Sequence, residues 1–192
     1  MNQEHLDVLS SPRWTEMLKS DMLPWLEATA ELGDDLLEIG PGPGLTTDLL
    51  RLRVARMTAV EIDPTLAAPL SKRMAGTNVT VLEADASHLD FDDDSFSAVA
   101  CFAVLHHVPS FDVQQAIFSE IFRVLRPGAA LVASDGYDNA GTRAHHAGDL
   151  FVPLDPDALN ERLGAFGFVD VTLDRGEYDF RFAAWKPERA AS

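Results

Sequence analysis

Three carboxylates recur at near-even spacing in the first half of the chain. Glu38 lies two residues ahead of the first glycine in LLEIGPGPG (residues 36–44), Glu61 comes 23 residues later in VEID (60–63), and Asp85 another 24 residues on in EADA (83–86). Gly40, Gly42 and Gly44 alternate with Pro41 and Pro43. Glycines at such positions allow positive φ and let a ligand come close where a Cβ would clash. A helix opening at Leu45 directs its free N–H groups, and a partial positive charge, at the same point. The arrangement supports a nucleotide-like ligand at the carboxyl end of the first strand; the alternative is a tight strand-to-helix turn without a ligand. Spacing narrows the ligand. A dinucleotide fingerprint needs a glycine at position 45, where this chain has Leu45, and no Gly-Lys-Ser/Thr of a P-loop is present. Glu38 would repel a pyrophosphate and attract an ammonium or sulfonium. Glu61 is placed to accept from two ribose hydroxyls, and Asp85 to accept from the exocyclic amine of adenine.

A second set of residues could act on an acceptor. His106 and His107 follow the fourth apolar run, and imidazole titrates near neutral pH, so either could serve as a general base, with His107 preferred. The same pair could instead only shape the loop. His145, His146 and Asp149 invite a metal reading. Adjacent histidines rarely chelate one ion together, and no third ligand stands at a helical or hairpin spacing, so no metal is expected. Substrate contact by His145, His146 and Tyr137 is expected instead. Trp14 and Met17 either cap the ligand or pack on the sheet, and Trp25 packs. Cys101, inside an apolar run, reads as a small core residue.

Strands and helices must hold these groups. Short apolar runs bounded by turn formers read as strands at 35–39, 57–62, 79–82, 98–102 and 130–133, with amphipathic helices over 45–54 and 113–125 between them. Arg126-Pro127-Gly128 reads as a helix stop. The alternation predicts parallel strands with helices on both faces, a doubly wound α/β sheet. After a helix near 157–163, the runs 168–173 and 180–185 leave no room for a crossover and must pair as an antiparallel hairpin. Residues 1–34 read as an N-terminal helical cap bent at Pro24, before a single domain over 35–192. Pro69 predicts a kinked or shortened helix, and 135–156 lacks periodicity.

Composition bounds the partners. The 192 residues carry 15 basic and 31 acidic side chains, a net charge of −16 and a pI near 4.5. Such a surface repels phosphate backbones and anionic lipid, which predicts no nucleic-acid and no membrane partner. One cysteine, no apolar run near the ~18 residues of a membrane helix, and no export signal predict a cytoplasmic protein. Oligomeric state is not legible.

The motifs LLEIGPGPG, VEID and EADA, with FSAVACFAVLHHV (96–108) and LRPG (125–128), resemble the class I, Rossmann-like S-adenosylmethionine-dependent methyltransferases, and the region from Asp34 to Gly44 with His106-His107 looks most like bacterial small-molecule enzymes. The resemblance implies a seven-stranded sheet of order 3-2-1-4-5-7-6 with strand 7 antiparallel. It implies that Glu38, Gly40 and Gly42 hold the methionine part, Glu61 the ribose, Ile62 and Asp85 with Ala86 the adenine, and that Phe102 lines the methionine side. It further implies direct in-line methyl transfer to a small-molecule O, N or C acceptor, leaving S-adenosylhomocysteine. A cofactor-binding module or regulatory subunit without turnover is the rival, and a nicotinamide oxidoreductase is disfavoured by Glu38 and Leu45. Glu61, as a strand-end carboxylate, is expected to be exposed in the empty site. Calorimetry should therefore show S-adenosylmethionine and S-adenosylhomocysteine binding in preference to NAD; tighter NAD binding would refute this reading of the glycine turn.

Overall fold

Apolar runs flanked by Gly, Pro, Asp and Asn become the strands of one sheet in the computed structural model, which describes residues 3–189. They are β1 (Asp35–Ile39), β2 (Arg56–Glu61), β3 (Val79–Glu83), β4 (Phe96–Phe102), β5 (Leu125–Gly136), β6 (Val169–Arg175) and β7 (Asp179–Trp185). The helices are α1 (Gln3–Leu9), α2 (Pro12–Met17), α3 (Leu23–Thr29), α4 (Leu45–Leu50), α5 (Pro64–Met74), α6 (Phe111–Val124), α7 (Ala140–His145) and α8 (Leu159–Gly164). Strand order is β3-β2-β1-β4-β5-β7-β6. All neighbours pair parallel except β7, which runs antiparallel to both β5 and β6. The doubly wound sheet and its hairpin end thus match the expectation. β1 sits between β2 and β4, so the chain reverses its direction of growth there, and the crevice at the carboxyl ends of β1 and β4 is where such sheets take ligands.

Strand side chains alternate between faces, and each face has its own core. Leu37, Ile39, Val99, Cys101, Leu131 and Phe182 pack with Ile117, Phe118 and Ile121 of α6 and with Leu159 and Leu163 of α8. On the other face Leu36, Ala98, Ala100, Ala130, Val132 and Ala183 meet Leu18, Met22, Leu23 and Leu26 of the N-terminal segment, together with Leu70 and Met74 of α5. Four of those six strand residues are alanines, which lets the N-terminal helices approach the sheet closely. Arg181 on β7 ties this segment down through the Asp21 carboxylate, whose Oδ1 lies 3.1 Å from Nη1.

Several local expectations need correction. α4 stops at Leu50 rather than 54, because the next residues turn toward β2. α5 runs eleven residues with Pro69 in its interior, so the proline does not end it. That proline removes one hydrogen bond, while Ala67, Leu70 and Met74 remain buried along one face. Pro24 lies in the first turn of α3, a position that tolerates its missing N–H, and the preceding Leu18–Met22 turn is a π-helix. α6 does stop just ahead of Arg126-Pro127-Gly128, at Val124, but β5 begins at once with Leu125, so the three residues lie inside the strand, in a register shift between the Phe96 and Ala98 pairings. Within 135–156 the chain forms α7, capped by Asn139, whose side chain accepts from the Thr142 N–H at 3.0 Å.

Leu26 is fully buried against the alanine-lined face. Leu26→Ala should lower unfolding free energy by about 2–5 kcal/mol in urea titrations. Leu52→Ala, at a residue that is 68% exposed, should change it by no more than about 0.5 kcal/mol.

Candidate active site

The glycine turn is built by two carboxylates lying under it. Glu38, next to last on β1, accepts hydrogen bonds from the Thr46 and Thr47 hydroxyls at the start of α4, the latter at 2.5 Å. Burial pushes its pKa up to about 7 against those two donors, with Asp48 and Glu61 adding to the rise. Glu61, at the end of β2, accepts from the Gly42 N–H and the Asp63 N–H, each at 3.0 Å. It is therefore buried and already engaged, contrary to the expected exposure. Its two oxygens still offer lone pairs beyond the two in use. From α5, the Arg73 guanidinium donates to the carbonyls of Pro43 and Gly44 at 2.8 and 3.2 Å. All three glycines have positive φ. A Cβ on Gly40 would meet the Val104 side chain at 2.5 Å, whereas one on Gly42 would enter open space.

That open space is a cavity of about 420 Å³ at the carboxyl ends of β1, β2 and β4. Gly40, Gly42, Glu61, Ile62, Asp85, Ala86 and Phe102 line it, as does His107. Ile62 is 66% exposed, a large apolar side chain left at the cavity wall. Glu38 does not reach the cavity: it lies behind the wall, and Thr46 stands between. His106 is also set back. His145 and His146 do not line the cavity either, and Tyr137 turns away, packing on Phe180 and donating to the Gly176 carbonyl at 3.3 Å. Leu9, Trp14 and Leu150 complete the wall; of these the sequence singled out Trp14 alone. Trp25 instead packs among the residues of the alanine-lined face. Ala103, directly after β4, has φ 56°, a strained conformation for a non-glycine residue at the cavity. Nothing in its residue type signals that.

Tertiary structure also pairs histidines that spacing did not. His106 and His107 occupy a 3-10 turn, and His146 follows α7; the ring centroids lie 4.0 Å (106–107), 4.9 Å (106–146) and 5.1 Å (107–146) apart. His106 Nδ1 bonds to the buried Asp135 carboxylate at the end of β5. Burial holds the His146 pKa below the usual histidine value, against the Thr142 carbonyl, which favours the charged ring. Gln114, buried on α6, fixes the turn by donating to the carbonyls of Leu105 and Val152 at 3.0 and 2.8 Å. Burial likewise pushes the Cys101 thiol pKa upward, as suits a core residue.

Residues 37–133 match the model of a methyltransferase domain. The chain belongs to this methyltransferase-domain family. Among solved structures, the PH0226 protein from Pyrococcus horikoshii superposes with a TM-score of 0.79 over 97% of this chain and all of that one, at 15% identity. Phosphoethanolamine N-methyltransferase 2 of Haemonchus contortus, solved with S-adenosylmethionine and with S-adenosylhomocysteine, superposes with a TM-score of 0.74 at 16% identity, over 91% of this chain and 53% of that one. Ribosomal RNA small subunit methyltransferase A of Leptothrix cholodnii is 48% identical over 59 residues, 31% of this chain and 21% of that protein. The chain spans less than a third of the length of the ribosomal RNA relatives it matches. The class I, Rossmann-like resemblance holds for family and fold.

The exclusion of nucleic acid does not hold: relatives named for ribosomal RNA methylation share this part of the domain. Net charge averages over the whole surface and governs non-specific attraction, so it does not decide which acceptor a local site selects. Among the described residues no helix is long and apolar enough to cross a membrane.

Glu38 makes the stability of the unliganded methyltransferase domain pH-dependent. Unfolded, it ionises near its ordinary value of 4.5; folded, near 7. Below pH 4.5 both states hold the proton and the contribution is complete; it is lost as pH rises through 7. In urea titrations from pH 5 to 8, Glu38→Gln should gain up to about 3 kcal/mol on the parent at the alkaline end and little at pH 5. Parallel pH profiles would refute a carboxyl group held neutral beneath the turn.

Proposed function

We propose that the chain is an S-adenosylmethionine-dependent methyltransferase whose cofactor lies along the cavity from Gly42 to Asp85. The observation that carries this is the convergence of Gly40, Gly42, Glu61, Ile62 and Asp85 on one cavity at the β1/β4 crevice. In this reading the glycine turn takes the methionine part of the cofactor, with Phe102 beside it. Glu61 accepts from the ribose hydroxyls, Ile62 packs on adenine, and Asp85 with Ala86 reads its edge. Glu38 acts through Thr46 and Thr47 by fixing the turn. Residues 1–34 act as a cap on the domain formed by 35–192, in keeping with Leu9 and Trp14 in the cavity wall.

Chemistry then needs little from the protein. The sulfonium is already a good leaving group: an acceptor lone pair forms a bond to the methyl carbon as the carbon–sulfur bond breaks, and S-adenosylhomocysteine departs. Holding the acceptor about 3 Å from the methyl carbon, in line with sulfur and away from water, supplies ~7–11 kcal/mol of the acceleration. In this reading His107, which lines the cavity, takes the acceptor's proton. The acceptor is read as a small molecule, because a cavity of about 420 Å³ leaves limited room beside a nucleoside cofactor. The single, buried Cys101 is in keeping with a cytoplasmic setting.

Formation of S-adenosylhomocysteine across a panel of hydroxyl, amine, carbon-acid and RNA-fragment acceptors tests this. Turnover with a small acceptor supports the reading, turnover confined to RNA replaces its acceptor class, and tight cofactor binding with no turnover on any acceptor favours a binding module. Glu61→Gln should weaken S-adenosylhomocysteine binding by about 10- to 1,000-fold in calorimetry. It should also cost about 1–3 kcal/mol of stability, since an amide nitrogen cannot accept from the Gly42 or Asp63 N–H. Normal affinity in the folded variant would remove Glu61 from the ribose site.

A further inference from the structure

Three imidazoles from two distant segments meet beside the cavity. One ring nitrogen from each of His106, His107 and His146 lies within 4.8 Å of the others. The edge of a tetrahedral zinc site with nitrogen ligands is about 3.4 Å, so the set closes on an ion by side-chain shifts on the order of 1 Å. Hydrogen bonding prepares two of the rings for this. His146 Nδ1 lies 2.7 Å from the Thr142 carbonyl oxygen, which can only accept. Nδ1 therefore carries the hydrogen, and Nε2 of the neutral ring holds the lone pair. His106 Nδ1 pairs in the same way with Asp135 Oδ1, which also accepts from the Gly136 N–H at 2.8 Å. A carboxylate or carbonyl behind each imidazole is the arrangement that orients histidines on metal ions and raises their basicity.

Asp135 supplies an independent reason. Its side chain is wholly buried, and its Oδ2 has no hydrogen-bond partner among the described residues. A carboxylate so deep in an apolar core is costly without positive charge close by. A cation on the far side of the His106 ring would provide it.

We propose that His106, His107 and His146 bind a divalent first-row transition cation, zinc foremost, with Asp135 as the carboxylate behind His106. Imidazole donors without thiolates or an oxygen cage favour zinc and its neighbours over magnesium or calcium. Three protein ligands leave a coordination position open. His107 and Asp149 both line the cavity, so that position is within reach of a molecule bound there. An acceptor hydroxyl on the ion would lose its proton to solvent more readily, leaving an oxygen lone pair for the methyl carbon. With its lone pair on the ion His107 no longer acts as the base, and the ion takes over that part. This role rests on the methyl-transfer reading; the binding of the ion does not.

The test uses the full chain stripped of metal with a strong chelator. Co2+ is titrated in the visible range, and Zn2+ by calorimetry against a competing chelator. One equivalent should bind, with the intense Co2+ bands of four- or five-coordination. Paramagnetic proton spectra of the Co2+ form should show shifted, exchangeable imidazole N–H signals from three histidines. His107→Ala and His146→Ala should each weaken binding at least about 10-fold, and Asp135→Asn about 10- to 100-fold, with circular dichroism unchanged. His145→Ala should bind as the parent does. Absence of stoichiometric binding by the parent chain would overturn the proposal, as would His146→Ala binding Co2+ normally. Should a variant unfold, the spectra of the parent Co2+ form still decide, because fewer than three histidine signals would also overturn it. S-adenosylhomocysteine affinity of the metal-free chain, measured alongside, keeps a failed metal site distinct from a failed cofactor site.

Discussion

The Glu38 carboxyl group lies beneath the glycine turn, away from water, and the hydroxyls of Thr46 and Thr47 are aimed at it. This arrangement couples the end of β1 to the first turn of α4 across the three glycines. A short loop with alternating positive-φ glycines has little of its own to hold one shape. Here it is held by Glu38 through the Thr46 and Thr47 hydroxyls, by Glu61 on the Gly42 N–H, and by Arg73 on two carbonyls. The loop's conformation is therefore a property of β1, β2, α4 and α5 together, and the cavity edge depends on it.

The sheet makes that clamp rigid. Parallel strands buried on both faces need two separate cores, and the chain supplies one from α6 and α8 and the other from the N-terminal helices and α5. Alanines on the second face bring the N-terminal segment close enough for Leu9 and Trp14 to reach the cavity wall. The segment thus contributes both to stability and to enclosure.

Around His107 the charge logic differs from that of the glycine turn. The glycine side is lined by carboxylates, which suit a cofactor carrying positive charge. Behind His107, which lines the cavity, lie the His106 and His146 imidazoles and a buried aspartate, positioned by β5, the 3-10 turn and the segment after α7. Gln114, donating to the carbonyls of Leu105 and Val152, locks this side to α6.

The sequence alone determined much of this. Short apolar runs between turn formers, and helical apolar patterns, located all seven strands and the main helices, because those patterns follow from which faces must be buried. Carboxylates 23 and 24 residues apart after a glycine turn were legible because a strand–helix unit has a nearly constant length. Only the tertiary structure decided that Glu38 stands behind the wall, that Glu61 is already engaged, and that Tyr137 packs against the hairpin. It alone brought His146 to His106 and His107 across 39 residues, and Asp135 behind them. Local spacing records which residues share an element; it is silent on which ends of different elements converge, because that is set by strand order and by the cores on either face.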